Sequence, residues 1–255
     1  MEVIRFIEKP ELQRPLLVVG LPGSGLVGKL AVDHLITEFG GRLLTEIYSN
    51  YFPPQVLIRP DGSSTLFKNE LYYLYVPDLK RHFLIYTGDA QPQDPQGQYL
   101  MADRVLQIAQ DLGVDSIWSL AAYITGGFSG SPAVYGTATD KELLRDLLKA
   151  DVKLMTEGTI SGVNGLVIGL AKLRGMKGYC LLGETSGYIV DAGASEAVLR
   201  ALSKILGFSI NLSKLQERAR ETAAIIRLMA EMQRRREAQL ERERERAGRD
   251  LGYIS

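Results

Sequence analysis

Short apolar runs alternate along this chain with longer amphipathic stretches, and this alternation restricts the fold more than any other feature. Leu16 to Val19 predicts a buried strand, and Ser24 to Phe39, with apolar residues broadly on one side, predicts a helix. Gly40-Gly41 ends that helix. Strand and helix patterns continue to alternate as far as Leu206. The pattern is typical of a three-layer α/β/α sandwich with a largely parallel sheet.

The remaining elements follow the same alternation. Predicted strands cover residues 43–48, 82–86, 116–122 and 178–182, and predicted helices cover roughly 97–112, 141–149, 159–171 and 195–206. Ser195 is the expected N-cap of the last helix. Short β-prone pieces at 56–58, 65–68 and 71–76, separated by turn residues, predict an inserted hairpin or meander. This insertion predicts a mixed sheet.

The C-terminal part of the chain has a different pattern. Its apolar residues recur every three or four positions, at Leu212, Leu215, Ala219, Thr222, Ile226 and Met229. One apolar seam of this kind predicts an amphipathic helix. After Met232, runs of mixed charge replace the seam, as expected for a solvated helix or a flexible arm. We therefore expect an α/β core at 1–208, a charged helical arm at 209–247 and a flexible tail at 248–255.

The composition limits the partners of the chain. Hydrophobic residues make up 45% of its 255 residues, and Lys+Arg and Asp+Glu each number 30. A balanced charge gives no global attraction to nucleic acid or to an anionic membrane, and the mixed signs of the arm argue against a phosphate-binding segment. The absence of an apolar run of about 18 residues and of an apolar leader before Glu8 predicts a cytoplasmic protein with no membrane span.

Reactive side chains are sparse. The single cysteine, Cys180, lies in an apolar run and is expected to be a buried thiol of a strand. The two histidines, His34 and His82, both precede the serine-rich loop at 126–132, so no Ser-His arrangement is suggested. No His/Cys cluster has the spacing of metal ligands. We therefore expect no catalytic residues, no metal and no cofactor.

A glycine motif follows the first predicted strand and opens the first predicted helix. Residues 23–29 (GSGLVGK) match two phosphate-binding patterns, G-x-G-x-x-G and G-x-x-x-x-G-K. In such motifs, glycines allow a phosphate to approach backbone N–H groups closely. Leu30 replaces the Ser/Thr that a P-loop needs for Mg²⁺, whereas Glu46 is near the position of the acidic residue in a dinucleotide site. We favour a third interpretation, a tight turn that packs helix against sheet.

The alternative to a structural turn is a ligand site. It would use Gly23, Gly25, Gly28 and Lys29 together with Asp89 and Glu184, which end predicted strands. Ligands of open α/β sheets bind at the carboxyl ends of the strands. Under this interpretation the chain binds a nucleotide or nucleoside, or is an enzyme that uses one.

Five segments occur in a fixed order along the predicted core. They are residues 20–28 (GLPGSGLVG), 86–92 (YTGDAQP), 131–139 (SPAVYGTAT), 158–166 (GTISGVNGL) and 182–185 (LGET). The series resembles the proteasome-assembly-chaperone family, in particular its archaeal homologues. The resemblance extends from about residue 16 to residue 207.

The resemblance implies a fold related to purine nucleoside phosphorylases, without an established catalytic activity. It also implies a homo-oligomer, expected to be a tetramer, that binds proteasome core-particle α subunits as an ATP-independent assembly chaperone or proteasome-binding protein. In archaeal homologues of this kind, C-terminal helices project from the core and help to engage the proteasome. The segment 212–246 fits such a projection.

Some relatives and proteasome activators end in a hydrophobic–Tyr–any motif, which docks in pockets between α subunits. The chain ends Leu251-Gly252-Tyr253-Ile254-Ser255, so the tyrosine is third from last and its predecessor is glycine. The match is therefore out of frame. Partner-binding residues are predicted in the tail and in the charged arm: Leu251, Tyr253, Ile254, Ser255, Arg242 and Arg246.

Overall fold

The computed structural model of this chain describes residues 2–226 and residue 232. The strands are β1 (Glu2–Phe6), β2 (Leu16–Val19), β3 (Arg42–Ser49), β4 (Val56–Ile58), β5 (Ser64–Leu66), β6 (Asn69–Val76), β7 (Arg81–Gly88), β8 (Ser116–Ile124), β9 (Val134–Ala138), β10 (Lys153–Leu154) and β11 (Lys177–Thr185). The helices are α1 (Val27–Glu38), α2 (Pro95–Asp111), α3 (Leu144–Leu147), α4 (Gly162–Leu173) and α5 (Ala192–Leu206). Residues 213–226 form a further helix, called here the C-terminal helix.

The main sheet has nine strands in the order β1-β3-β6-β7-β2-β8-β11-β9-β10. Its central strands β7, β2, β8 and β11 are parallel to one another. The flanking pairs β1–β3, β3–β6, β6–β7 and β11–β9 are antiparallel, and β4 and β5 form a separate hairpin. The predicted mixed sheet is confirmed, with its parallel pairing concentrated in the centre.

Helices cover both faces of the sheet. Along β2 the buried side chains alternate, so that Leu16 and Val18 join the cluster beneath α1 and α5, while Leu17 and Val19 join the cluster beneath α2 and α4. A parallel strand buried on both faces is apolar throughout, as this strand is. The three-layer α/β/α sandwich predicted from the sequence is therefore confirmed.

The start of α5 differs from the prediction. Asp191, not Ser195, is the N-cap, because its Oδ1 accepts a hydrogen bond from the N–H of Ala194 at 2.9 Å. Ser195 lies one turn inside the helix, is fully buried, and donates its hydroxyl to the carbonyl of Asp191 at 2.9 Å. The prediction failed because Asp and Ser are about equally good N-caps, so residue type alone does not choose between them.

Two further predicted helices are altered. The helix predicted at 159–171 begins only at Gly162, whose φ of +75° places it in the left-handed region. The helix predicted at 141–149 is broken, with the four residues of α3 between two single 3-10 turns. Three strands were not predicted: β1, β9 and β10.

Candidate functional site

The carboxyl ends of the four central parallel strands lie at one edge of the sheet, called here the carboxyl edge. The glycine motif follows β2 at this edge, and the segment 86–92 ends β7 there. The segment 182–185 ends β11, and the segment 158–166 opens α4. Segments that are far apart in the sequence are therefore brought to one place, which is where open α/β sheets bind their ligands and partners.

The glycine motif is a tight packing turn. A Cβ on Gly28 would lie 2.0 Å from the carbonyl oxygen of Leu120, and a Cβ on Gly20 would lie 2.3 Å from the carbonyl oxygen of Gly28. Gly25 has a φ of +62°. The glycines are thus needed for close contact between α1 and the sheet, as the favoured interpretation predicted.

Polar side chains tie three of the segments together through this turn. Gln91 donates its amide to the carbonyl of Pro22 at 2.6 Å and accepts from the N–H of Val163 at 2.8 Å. Asn164, itself buried, accepts from the N–H of Leu21 at 3.2 Å and donates to its carbonyl at 3.3 Å. Because these bonds satisfy backbone groups of a turn and of a helix start, the two side chains fix the walls of the carboxyl edge.

The remaining two segments are joined in the same way. Thr185 donates its hydroxyl to Asp191 at 2.8 Å, and the N–H of Asp191 donates to the carbonyl of Gly25 at 2.8 Å. Glu184 accepts from the N–H of Ala133 at 3.0 Å through its side chain, and its own N–H donates to the carbonyl of Ala133 at 2.9 Å. All five segments therefore belong to one hydrogen-bonded assembly.

A cleft of about 870 Å³ opens at the carboxyl edge. Ala121 and Leu182 contribute to its lining from β8 and β11, and Gly23, Gln91 and the stretch 157–162 contribute from the surrounding loops. Among the described residues that line it, Glu157 is the only charged one. A phosphate-bearing ligand would therefore meet no cation here, although a neutral ligand of nucleoside size has enough room.

The predicted ligand residues are not gathered in this cleft. Gly23 lines it, whereas Lys29 on α1 forms an ion pair with Asp33 at 2.6 Å. The carboxylate of Asp89 accepts from the N–H of Lys68 at 3.1 Å, and that of Glu184 is bonded to Ala133 as described above. Gly25 and Gly28 serve the packing of the turn. Of the six positions, only Gly23 therefore lies in the lining of the cleft.

Glu46 also lies away from the glycine turn. It is on β3, three strands from β2, and forms an ion pair with Lys68 at 2.5 Å. The hydrogen bond from Lys68 holds the pKa of Glu46 below its ordinary value, and Lys68 is shared with Glu70 at 2.7 Å. An acidic residue engaged in this way cannot serve as the ribose ligand of a dinucleotide site.

The cysteine and the two histidines are buried or hydrogen-bonded within the fold. Cys180 is fully buried, and burial raises the pKa of its thiol to about 12. His34 lies 2.7 Å from the carbonyl of Asn211, and His82 accepts from the N–H of Gln13 at 2.9 Å. Within residues 2–226, no three His, Cys, Asp or Glu side chains are grouped as a metal site would require.

Large apolar side chains are exposed around the carboxyl edge, and they are called here the apolar rim. The rim consists of Tyr99, Ile124, Phe128, Tyr188 and Val190. Tyr188 is 86% exposed and Ile124 is 59% exposed. A Cβ on Gly187 would lie 3.2 Å from Ile124, which places the turn after β11 directly beside the end of β8. Exposed apolar groups concentrated in one region are typical of protein interaction sites.

The C-terminal helix runs toward the same edge. Leu212 and Leu215 are buried in the core beside α5, and Gln216 donates to Glu196 at 3.2 Å. Further along, Ala219 lies 3.7 Å from the position that a Cβ on Gly193, at the start of α5, would occupy. Residues 222 and 223 then line a cleft of about 420 Å³ together with Phe128 of the apolar rim. The helix is thus antiparallel to α5 and reaches the carboxyl edge.

The predicted partner-binding residues of the arm and the tail, Arg242, Arg246, Leu251, Tyr253, Ile254 and Ser255, lie outside the described residues. Within the described part of the chain, no helix has both the length and the apolar character needed to cross a bilayer.

The carboxyl edge combines rigid loops, an apolar rim and the end of a helix that approaches from the core. These are the features of an α/β domain that binds other proteins.

The chain belongs to the PAC2 family, whose model matches residues 17–230. A protein of Methanocaldococcus jannaschii is 37% identical over 210 residues, which cover 82% of this chain and 80% of that protein.

Two solved structures from Pyrococcus furiosus are similar over almost their entire length. PbaB, described as an archaeal proteasome activator, has a TM-score of 0.84 and 41% identity, covering 90% of this chain and 98% of that one. PbaA, described as an archaeal homolog of proteasome-assembly chaperone, has a TM-score of 0.74 and 27% identity, covering 95% of this chain and 98% of that one. Both likenesses confirm the fold predicted from the sequence. Together with the family match, they also confirm the resemblance to archaeal homologues of proteasome assembly chaperones that the five segments predicted.

The segments of the carboxyl edge were predicted from the sequence, but their contacts with one another were not. Gln91 and Asn164 were included only as members of segments, and their bonds to the glycine turn have no signal in a single sequence. The apolar rim was missed because Tyr188 and Val190 stand in a loop, where an apolar residue is as easily buried as exposed. The signal that could have identified it is the cluster of apolar residues between a predicted strand and a predicted helix start.

Proposed function

We propose that this protein binds the proteasome core particle and acts in its assembly or activation without ATP. The carboxyl edge with its apolar rim and the C-terminal arm would together contact the α subunits. The observation that supports this most directly is that the C-terminal helix reaches the edge where the apolar rim lies. The predicted arm that continues from this helix would extend a binding face formed by the rim.

The similarity to PbaB and PbaA supports the same proposal. One is described as a proteasome activator and the other as a proteasome-assembly-chaperone homolog, so both concern the proteasome. We further propose that the protein acts in the cytoplasm as a homo-oligomer, a tetramer in the simplest case. Several arms on one oligomer would raise the avidity for a ring of identical α subunits even when each contact is weak.

The test compares the full chain with Tyr188→Ser in binding to purified core particles of the same organism. Burial of one aromatic anchor at an interface stabilises a complex by about 1–2 kcal/mol, so the variant should bind roughly tenfold more weakly. Leu173→Ser is the matched control, since Leu173 is 83% exposed at the end of α4 away from the carboxyl edge. Equal binding by all three proteins would refute the role of the rim.

Nucleoside binding is a second candidate, and the cleft of about 870 Å³ at the carboxyl edge favours it. Because its described lining offers no cation, the ligand would be a nucleoside, not a nucleotide. A thermal-shift screen with nucleosides and their monophosphates tests this candidate. No stabilisation by any nucleoside would eliminate it without affecting the proposal of proteasome binding.

A further inference from the structure

The two outer edges of the main sheet differ in length. The strand at one edge, β10, consists of the two residues Lys153–Leu154, so it offers little backbone for pairing. The strand at the other edge, β1, has five residues, and no described strand lies beyond it. Folded proteins usually protect such an edge with proline, lysine or a bulge, and β1 (EVIRF) has none of these.

The two charged side chains of β1 are engaged within the fold. Glu2 forms an ion pair with Arg104 of α2 at 2.9 Å. The guanidinium of Arg5 lies over the ring of Tyr48, 5.8 Å from its centroid. Because both charges are directed at neighbours on the faces of the sheet, the backbone at the outer side of β1 is left open to another strand.

Alternate backbone groups of β1 point away from the sheet. The N–H of Ile7 donates to the carbonyl of Leu44 at 2.9 Å, in register with the pairing of β1 and β3. In an antiparallel pair, only every second residue of a strand bonds to the neighbouring strand, so the odd-numbered residues of β1 bond to β3. The even-numbered residues, Glu2, Ile4 and Phe6, therefore direct their N–H and C=O groups outward.

Apolar surface accompanies this open edge. Three large apolar side chains at the edge are exposed: Val3, Phe6 and Ile7. Val3 is paired directly with Tyr48, which lines a groove of about 560 Å³ together with residues of the hairpin β4–β5. Three side chains of this hairpin are at least half exposed: Val56, Ile58 and Leu66. Unpaired backbone groups next to exposed apolar surface are typical of an interface that forms by addition of a strand.

The strand that fits this edge is β1 of a second copy. When two copies pair antiparallel with Ile4 opposite Ile4, Glu2 of each copy lies opposite Phe6 of the other. All outward-facing residues of both strands then form hydrogen-bonded pairs, each of which exchanges two backbone hydrogen bonds. A two-fold axis perpendicular to the sheet generates this pairing and keeps the two faces of the sheet matched.

The side chains favour the same register. Phe6 of one copy approaches Glu2 of the other and the Arg104 guanidinium that is paired with it, and an aromatic ring beside a guanidinium is favourable. A shift of two residues in one direction places Arg5 opposite Arg5, and like charges directly opposite each other are destabilising. A shift in the other direction leaves Phe6 without a partner in β1.

We propose that two copies of this chain pair through β1 in this register, with Ile4 on the two-fold axis, and join their nine-stranded sheets into one continuous sheet. The inference rests on the homo-oligomer proposed above and identifies one of its interfaces. Because the pairing is antiparallel, the carboxyl edges of the two copies face opposite directions. Arms that engage the same ring of α subunits therefore come from different pairs, as a tetramer of two such pairs allows.

Cysteine cross-linking tests the register. In the proposed pairing Val3 lies opposite Arg5 of the second copy without backbone hydrogen bonds between them, at a Cα separation of about 4.5 Å that a disulfide can bridge. Full-length Val3→Cys and Arg5→Cys, mixed, left to exchange subunits and oxidised, should form a covalent dimer. Each variant alone should not, because identical positions are diagonal neighbours about 7–8 Å apart. The natural Cys180 is fully buried and stays out of the reaction.

Sedimentation of the full-length chain tests the strength of the contact. Phe6→Glu places a carboxylate opposite Glu2 of the second copy and should raise the dissociation constant of the pair at least about tenfold. Leu173→Glu is the matched control, since Leu173 is 83% exposed at the end of α4, and it should associate as the wild type does. The melting temperature of each variant shows that the fold is retained.

A comparison of Phe6→Pro with Phe6→Ala isolates the backbone. Both variants lose the aromatic side chain, but only proline also lacks the outward N–H, and an edge strand tolerates proline where its N–H faces solvent. Phe6→Pro should therefore weaken association several-fold more than Phe6→Ala does. Equal dissociation constants for these two variants would refute pairing through the backbone.

Three further results would overturn the proposal: a wild-type chain that sediments as a monomer, unchanged association of Phe6→Glu, and no cross-link in the mixture. An oligomer that forms without the cross-link would overturn pairing through β1 and leave the proposed homo-oligomer standing, with its contact elsewhere. Neither experiment contains core particles. A failure of the pairing is therefore distinguishable from a failure of proteasome binding.

Discussion

Gly28 of α1 is in backbone contact with Leu120 of β8, so closely that a Cβ on Gly28 would lie 2.0 Å from the carbonyl oxygen of Leu120. The contact holds the first helix directly on the central parallel strands. A helix can approach a sheet this closely only where it lacks a side chain. The motif that resembles a phosphate-binding loop is thus explained by packing.

The first prediction concerns this contact. Gly28→Ala should destabilise the protein by about 3 kcal/mol, because neither the helix backbone nor the strand can yield without disturbing the core. The free energy of unfolding, from urea denaturation, measures the effect. A change in stability of less than about 0.5 kcal/mol would show that the contact is not required.

Gly169→Ala is the matched control for this prediction. Gly169 lies in the interior of α4, is exposed, and has no heavy atom within 4 Å of its added Cβ. The same substitution should therefore stabilise the protein, by about 0.5–1 kcal/mol, since glycine is a poor helix former. The two variants are expected to shift stability in opposite directions.

The second prediction concerns Gln91. Gln91→Ala removes the bonds to Pro22 and to Val163, and it leaves the N–H of the buried Val163 at the start of α4 unpaired. We expect a loss of about 1–3 kcal/mol. Hydrogen exchange should become faster at the glycine turn and in the first turn of α4. Gln107→Ala, on the exposed face of α2, should leave both segments protected.

The sequence predicted those elements that are fixed by local patterns. Leu16–Val19 was located to the residue because a strand buried on both faces is uniformly apolar. β9 was missed because Gly136 interrupts it, although Val152 approaches the position of the absent Cβ to 2.7 Å. Its strand conformation depends on pairing with β11, from residues more than 40 positions later. Partners so distant leave no periodicity in a single sequence.

The candidate site was likewise predicted only in part. The segments at the carboxyl edge are continuous in sequence, so the resemblance found them and the α/β topology placed them. The side chains of the apolar rim had no such signal. Ile124 and Tyr188 lie beyond the ends of two different predicted strands, and only the parallel pairing of β8 and β11 brings them to the same end of the sheet.

The third prediction concerns acid stability. The hydrogen bond from Lys68 lowers the pKa of Glu46 from its ordinary value of 4.5, so this carboxylate stabilises the fold above that pH. The stabilisation is lost as the pH falls through the lowered pKa of the folded state. Glu46→Gln should therefore flatten the fall in melting temperature below about pH 4.5.

Glu38→Gln is the comparison for this experiment, because Glu38 is an exposed carboxylate at the end of α1. The melting temperature of the Glu38→Gln variant should fall with decreasing pH as that of the wild type does. If Glu46→Gln shows the same fall as the wild type, the ion pair with Lys68 contributes nothing to acid stability.

The fourth prediction concerns the base of the C-terminal helix. Leu215 is 2% exposed, and Leu215→Ala should cost about 2–4 kcal/mol and release the helix from α5. Limited proteolysis should then cut within 213–226 at protease concentrations that leave the wild type intact. Ile225→Ala is the control, because Ile225 is 54% exposed and its truncation removes little buried surface. Cleavage at equal rates in both variants would contradict the packing of this helix.

The last prediction separates the arm from the tail. A chain ending at residue 226 keeps Leu215 in the core and removes the predicted arm and tail beyond it, including Arg242 and Arg246. Removing only the last four residues deletes Tyr253 and leaves the charged stretch intact.

If the tail docks between α subunits, both truncations should weaken binding to core particles equally. If the charged arm supplies the affinity, only the longer truncation should weaken binding. Added salt should then also weaken the binding of the full chain to core particles. Binding that neither truncation changes would assign recognition to the apolar rim alone, because the rim is intact in both proteins.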